Sequence, residues 1–208
     1  MDKRRKTAAA VTVGCRLNQA DTALIFGRLK DAGYEIVEAD TDSPVDLIII
    51  NSCAVTSSAS QKSRQYARAC RRNHPEAMIV ATGCDSEVEK DLWKNEKAVD
   101  IYLPNPEKSK ILDYINGHVP RREAAAGKIF LEKSTGFYPF RSRAFIKIQE
   151  GCENFCTYCI VPYARGPERS RDSKEIFREF RSLLEQGHKE IVLTGVNIST
   201  YRDSSSGL

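Results

Sequence analysis

Between residues 7 and 117, short β-rich runs alternate with helical periods, and this alternation limits the fold more than any other feature of the chain. Ala8–Val13 reads as a strand. Residues 18–33 carry Ala20, Leu24, Ile25, Phe26 and Leu29 at helical spacing. Val45–Asn51 is a nearly continuous apolar run of the kind buried on both faces of a parallel sheet. Ser57–Asn73 follows as a polar, Arg-rich helix and Met78–Thr82 as a second buried strand. Glu87–Lys94 reads as a helix, Val99–Leu103 as a strand, and Glu107–Asn116 as a helix stopped by Gly117. Such a succession predicts an α/β fold over residues 1–120, a Rossmann-like or flavodoxin-like parallel sheet covered by helices.

The pattern breaks over residues 118–141, with Pro120, Arg121 and Arg122, an alanine run, Gly127 and Gly136. We expect a linker at 121–141, holding one strand at Lys128–Leu131. A second unit occupies 142–208. It comprises a strand at Ala144–Gln149, a helix at Ser173–Gln186 with Ser173 as N-cap and Gly187 as stop, and a strand at Glu190–Thr194. That is one β-α-β unit of another parallel fold. No further strand follows, so the expectation is a truncated domain.

The chain has 208 residues, and 32 Lys and Arg against 28 Asp and Glu give it a net charge of +4. That mild excess is compatible with a nucleic-acid partner without demonstrating one. The composition is that of a globular protein rather than a disordered one. The longest apolar run, around Leu47–Ile50, falls far short of the ~20 residues of a membrane helix. The charged N-terminus lacks the apolar stretch of a signal peptide, so the expected setting is the reducing cytoplasm, without membrane association. The seven cysteines are then better read as ligands or catalysts than as disulfides.

Six of the seven fall into two triads. Cys152, Cys156 and Cys159 form a C-x3-C-x2-C run directly after a predicted strand, a spacing that lets three thiolates from one loop hold an iron–sulfur cluster. A 4Fe–4S cluster normally takes four cysteines, so three leave one iron open to a substrate. The competing zinc reading lacks a fourth ligand, because His188, the nearest histidine, lies beyond a helix. Cys15, Cys53 and Cys84 have no informative spacing, but each follows a predicted strand. Carboxyl ends of parallel strands share one sheet edge, where three thiols can meet and helix N-termini stabilise anions. The alternative is three ordinary buried cysteines. Cys70, inside a helix, reads as a packing residue.

The run from Gln149 through Gly166 (Gln-Glu-Gly-Cys-Glu-Asn-Phe-Cys-Thr-Tyr-Cys-Ile-Val-Pro-Tyr-Ala-Arg-Gly) resembles the cluster signature of the radical S-adenosylmethionine methylthiotransferases. Gly14–Gln19, Asn51–Cys53 and Thr82–Cys84 resemble that family's N-terminal segments, in its order. Gly-Cys-Arg-Leu-Asn-Gln, Cys-Ala-Val-Thr and Arg-Gly-Pro-Glu-Arg-Ser are most similar to the branch acting on threonylcarbamoyladenosine in tRNA. One departure is Asp85-Ser86 after Cys84, where the family usually carries an aromatic and a small polar residue.

The resemblance implies that residues 142–208 begin a radical SAM (β/α) partial barrel. It implies two 4Fe–4S clusters, one at Cys152, Cys156 and Cys159 with S-adenosylmethionine on its open iron, the other at Cys15, Cys53 and Cys84. The implied reaction is methylthiolation at carbon 2 of adenosine 37 in a tRNA anticodon stem-loop. A donor such as flavodoxin or ferredoxin would supply electrons to a monomer. A fragment of this length is expected not to turn over alone. Tyr158 matches the position near the cofactor's adenine, with a hydrophobic cover for the cluster as its alternative role. Gly195 and Asn197 fall where relatives bind the cofactor's amino end, with a plain strand-end turn as the alternative role of the glycine. Arg165, Arg169 and Arg171 are candidates for tRNA phosphates. So are Lys62, Arg64, Arg68, Arg71 and Arg72, although a solvated face is the simpler reading. The rivals are the isopentenyladenosine and ribosomal-protein branches, and a non-catalytic iron–sulfur or zinc module that binds RNA.

Overall fold

The computed structural model describes residues 4–41, 43–118 and 136–203. The strand expected at Lys128–Leu131 and most of the expected linker lie outside the described residues.

Five parallel strands form the first unit: β1 (Thr7–Thr12), β2 (Glu35–Ile36), β3 (Leu47–Ser52), β4 (Met78–Gly83) and β5 (Ile101–Tyr102). Their order, β2-β1-β3-β4-β5, is the flavodoxin-like one. Five helices belong to it: α1 (Arg16–Asp31), α2 (Ser57–Asn73), α3 (Cys84–Val88), α4 (Lys90–Lys94) and α5 (Ile111–Ile115). β3 is buried throughout because both its faces are covered. Ile48 and Ile50 pack with Ile79, Ala67 of α2 and Trp93 of α4. Leu47 and Ile49 pack on the other side with Ile25, Phe26 and Leu29 of α1 and Ile111 of α5. Burying each such side chain contributes about 1.5–3 kcal/mol.

The second unit adds β6 (Arg143–Lys147), β7 (Gln149–Glu150), α6 (Val161–Arg165), β8 (Arg169–Ser170), α7 (Ser173–Glu185) and β9 (Glu190–Thr194). β6 and β9 are parallel neighbours, joined through α7. Helix α1 also serves this unit. Its Ala20 and Ala23 face Tyr138, Ala144, Ile146 and Leu183, so one helix carries two apolar stripes and is covered twice. Small alanines on the second stripe let β6 approach closely.

Several expected elements are redrawn. The strand expected at Ala144–Gln149 ends at Lys147, and Gln149–Glu150 turns away to pair antiparallel with β8. The helix expected at Glu87–Lys94 begins earlier, at Cys84, and breaks at Glu89 (φ −103°, ψ 48°). Residues Asn105–Lys110 form a 3₁₀ turn behind Pro104 before α5 begins. Asp172, not Ser173, caps α7, its side chain accepting from the Lys174 amide at 2.8 Å. Gly117 and Gly187 stop their helices as expected, with φ of +79° and +88°.

Candidate metal centre

Cys15 is the residue before α1, Cys53 follows β3 directly, and Cys84 opens α3 at the end of β4. Because β1, β3 and β4 are consecutive in the sheet, the three cysteines share its carboxyl edge. Two glycines permit the approach. A Cβ on Gly14 (φ +119°) would lie 2.9 Å from Cys53 Cβ and 3.0 Å from its Sγ, so the backbone before Cys15 runs against Cys53. A Cβ on Gly83 (φ +102°) would lie 2.4 Å from the Ser52 carbonyl oxygen.

Asn18, buried on α1, ties this edge together. Its Nδ2 donates to the carbonyls of Val13 and Ser52, both at 2.9 Å. Its Oδ1 accepts from Cys84 Sγ at 3.8 Å. Cys15 is exposed, whereas Cys53 and Cys84 are buried. Burial pushes the Cys84 thiol up, while Arg165 and Lys108 oppose this by favouring the thiolate.

The second triad stands on the loop between β7 and α6. Cys159 N donates to Cys156 O at 2.9 Å, and Cys152 N to Gly166 O at 3.1 Å, closing the loop at both ends. Gly151 (φ +77°) cannot carry a side chain, since a Cβ would sit 2.0 Å from Pro167 O. Phe155 holds φ +46°, alone among the described non-glycine residues, a conformation costing on the order of 1–3 kcal/mol. Its ring meets Tyr163 edge-on at 5.9 Å. Gln149, fully buried, donates from Nε2 to Gly151 O and accepts the Asn197 amide on Oε1, both at 2.9 Å. Gly195 packs on the same side chain, where a Cβ would be 3.0 Å from Gln149 Cβ. Gly195 and Asn197 therefore lie at the base of the cysteine loop, one glutamine away from it.

A cleft of about 600 Å³ lies between the second cysteine loop and residues that follow Cys53 and Cys84. Tyr158, Cys159 and Ile160 line one wall. The other is lined by Ala54, Thr56, Asp85 and Leu92, the first and third of which follow Cys53 and Cys84. Tyr158 is 90% exposed, a poor cover for a buried cluster but free to meet a ligand.

Buried charges join the two units. Asp21 of α1 pairs with Lys108, with Lys147 at 2.6 Å and with Arg165 at 3.1 Å. Glu150 pairs with Lys147 at 3.0 Å, Arg165 at 2.6 Å and Arg169 at 3.1 Å. Burial pushes both carboxyls up, but the surrounding cations outweigh it, holding Asp21 far below the carboxylate range and Glu150 at about 2. Sequence reasoning missed this network and Asn18's part in the site. The available signal was an Asn and an Asp inside the apolar stripes of α1.

The same network corrects the phosphate expectation for the arginines after the loop. Arg165 and Arg171 are buried, the latter against Glu179, and Arg169 is held by Glu150. They serve the interior. On α2, Arg64 pairs with Asp85, Arg68 with Glu96 and Arg71 with Asp100, in keeping with a solvated, ion-paired face. Cys70 is buried in the core, as expected of a packing residue. His188 packs on Tyr138 with Nδ1 3.4 Å from Ser142 O, at the far end of β6 from the cysteine loop.

Among the described residues, no three His, Cys, Asp or Glu side chains are grouped closely enough to hold a single metal ion. A cubane offers a separate iron to each thiolate, so its ligands need not converge on one point. Donor sets made only of thiols suit iron–sulfur chemistry, and in the first triad so do the cations beside Cys84.

Two family models match the chain: Uncharacterized protein family UPF0004 over residues 7–104 and the Radical SAM superfamily over 146–206. Threonylcarbamoyladenosine tRNA methylthiotransferase MtaB of Aquifex aeolicus is 40% identical over 91% of this chain and 48% of its own length. The protein of the same name in Bacillus subtilis is 37% identical over 94% of this chain and 44% of its own. The tRNA-2-methylthio-N(6)-dimethylallyladenosine synthase of Chloroherpeton thalassium is 35% identical over 94% and 45%. The chain thus spans about half the length of the curated relatives it matches. Among solved structures, the radical S-adenosylmethionine methyltransferase TsrM of Kitasatospora setae superposes with a TM-score of 0.60 at 15% identity, covering 94% of this chain and 49% of that one, a likeness of fold alone. The two models fall on the two cysteine-bearing units in turn, and methylthiotransferases match across both, so the chain belongs to the radical S-adenosylmethionine methylthiotransferase family.

Proposed function

We propose that these two units serve methylthiolation at carbon 2 of N6-threonylcarbamoyladenosine 37 in the anticodon stem-loop of tRNA, with two 4Fe–4S clusters and S-adenosylmethionine. The observation that carries the reading is the cleft of about 600 Å³, whose one wall holds Cys159 while the other is built from the residues following Cys53 and Cys84. Cys152, Cys156 and Cys159 hold one cluster, and Cys15, Cys53 and Cys84 the other. Together these groups supply one-electron cleavage of S-adenosylmethionine and the sulfur for transfer.

The chain's own residues bind and shield. Tyr158 offers an exposed ring beside Cys159 for an adenine, and Gly195 and Asn197 receive the cofactor's amino end at the base of the loop. Leu92 and Ile160 line the cleft with apolar side chains that would shield the chemistry from solvent-borne reductants and dioxygen. The exposed Cys156 side of the loop faces an electron donor such as flavodoxin or ferredoxin. A monomer working in the cytoplasm fits this picture, and among the described residues no helix is long and apolar enough to cross a membrane. The threonylcarbamoyl branch is favoured by the relatives of that name, at 40% and 37% identity against 35% for the dimethylallyl enzyme.

The test is iron and labile sulfide per chain after anaerobic reconstitution, alongside 5′-deoxyadenosine release from S-adenosylmethionine under strong reductant. About eight irons are expected, falling to about four, with cleavage abolished, in Cys152→Ala/Cys156→Ala/Cys159→Ala. Zinc without iron in the wild type would replace this reading with the RNA-binding module.

A further inference from the structure

Arg165 follows the second cysteine loop in sequence, yet its guanidinium ends at the first triad. Only 3% of the side chain is exposed. Nη1 donates to Glu150 Oε1 at 2.6 Å, and Nη2 reaches Asp21 Oδ2 at 3.1 Å and donates to Asn18 Oδ1 at 2.6 Å. That oxygen also accepts from Cys84 Sγ, while the same amide's nitrogen holds the carbonyls of Val13 and Ser52. Two carboxylates thus fix the fork, and the fork fixes the asparagine around which the first triad is arranged. A buried guanidinium keeps its charge at every working pH and screens poorly in a dry interior.

We propose that Arg165 is a positioning residue of the first triad, supplying permanent positive charge beside the metal group held by Cys15, Cys53 and Cys84 and fixing Asn18, whose Nδ2 braces the backbone carbonyls of Val13 and Ser52 ahead of Cys15 and Cys53. This rests on the two-cluster reading above. Negative charge added on reduction is favoured by a nearby cation, so removing that cation makes the group harder to reduce.

The experiment is a redox titration followed by electron paramagnetic resonance, on the chain carrying Cys152→Ala/Cys156→Ala/Cys159→Ala so that only the first triad is loaded. Arg165→Gln is expected to shift the midpoint to more negative potential, and Arg165→Lys to bring back most of the shift. A residue that merely holds the fold would lower the melting temperature and leave the midpoint in place. A loaded Arg165→Gln protein with an unmoved midpoint overturns this inference alone. A parent without iron at the first triad overturns both it and the two-cluster reading. If Arg165→Gln does not fold, Lys108→Met removes the buried cation that shares Asp21 Oδ2 with the Arg165 fork and is expected to move the midpoint the same way. No movement there refutes the role of charge.

Discussion

The two cysteine triads are placed in the fold by opposite means. Cys152, Cys156 and Cys159 sit on one loop whose ends are closed by its own backbone, and Cys156 is exposed to solvent. Cys15, Cys53 and Cys84 come from three strand ends, share one sheet edge only because β1, β3 and β4 are adjacent, and two of the three are buried. The local site depends on a few left-handed residues. The dispersed site depends on a whole sheet, on Asn18 and on charges contributed by the other unit. A site of the first kind is sensitive to its own loop, and one of the second kind to changes far away in sequence.

The sharpest way to break this contrast is at Lys147, the cation shared by Asp21 and Glu150. Lys147→Met leaves buried carboxylates short of a partner and is expected to cost about 3–5 kcal/mol in chemical denaturation, loosening the first triad although Lys147 lies next to the second. A cost below about 1 kcal/mol would mean that the units do not depend on the network. The paired glycine variants come next. Gly83→Ala and Gly151→Ala each force a side chain into the left-handed region against a carbonyl, at about 1–3 kcal/mol or more. On the two-cluster proposal, iron analysis is expected to show Gly83→Ala losing the cluster of the first triad and Gly151→Ala that of the second. Loss of both from either variant would erase the distinction.

Acid should act on the network of buried charges that joins the two units. Glu150 is held at about 2 against an ordinary value of 4.5, and Asp21 is also lowered. Their stabilisation is fully present above the ordinary carboxylate range and is lost as pH falls from about 4.5 towards about 2. Thermal melts across that window should show a steep fall in midpoint that Glu150→Gln makes shallower, whereas an equal slope in the variant would contradict the assignment. The smallest effect is expected at Cys156→Ala in iron-free protein, within about 0.5 kcal/mol by denaturant titration because the side chain is exposed. A larger loss would show that the loop is structurally tied even without metal.

Much of this arrangement was legible beforehand. The helix at Ser57–Asn73 and the strand at Glu190–Thr194 match the expectation end to end, since long periodic or flanked runs state their own period. Strands of two residues such as β2 and β7 were not, because so short a segment has no period to read. The arginines after the loop misled for a related reason. Composition marks a charge without saying whether it meets phosphate or a buried carboxylate.

By itself the sequence determined the α/β class, the order of the longer helices and strands, and the local triad, because each is encoded in neighbouring residues within a few turns of chain. Only the tertiary structure decided that α1 is covered on two sides and that Asn18 gathers the edge around Cys84. It alone decided, too, that Arg165 points across the boundary between units rather than out to solvent. These are contacts between residues as many as 147 positions apart, and they follow from which buried charges must be paired once the two units close on one helix.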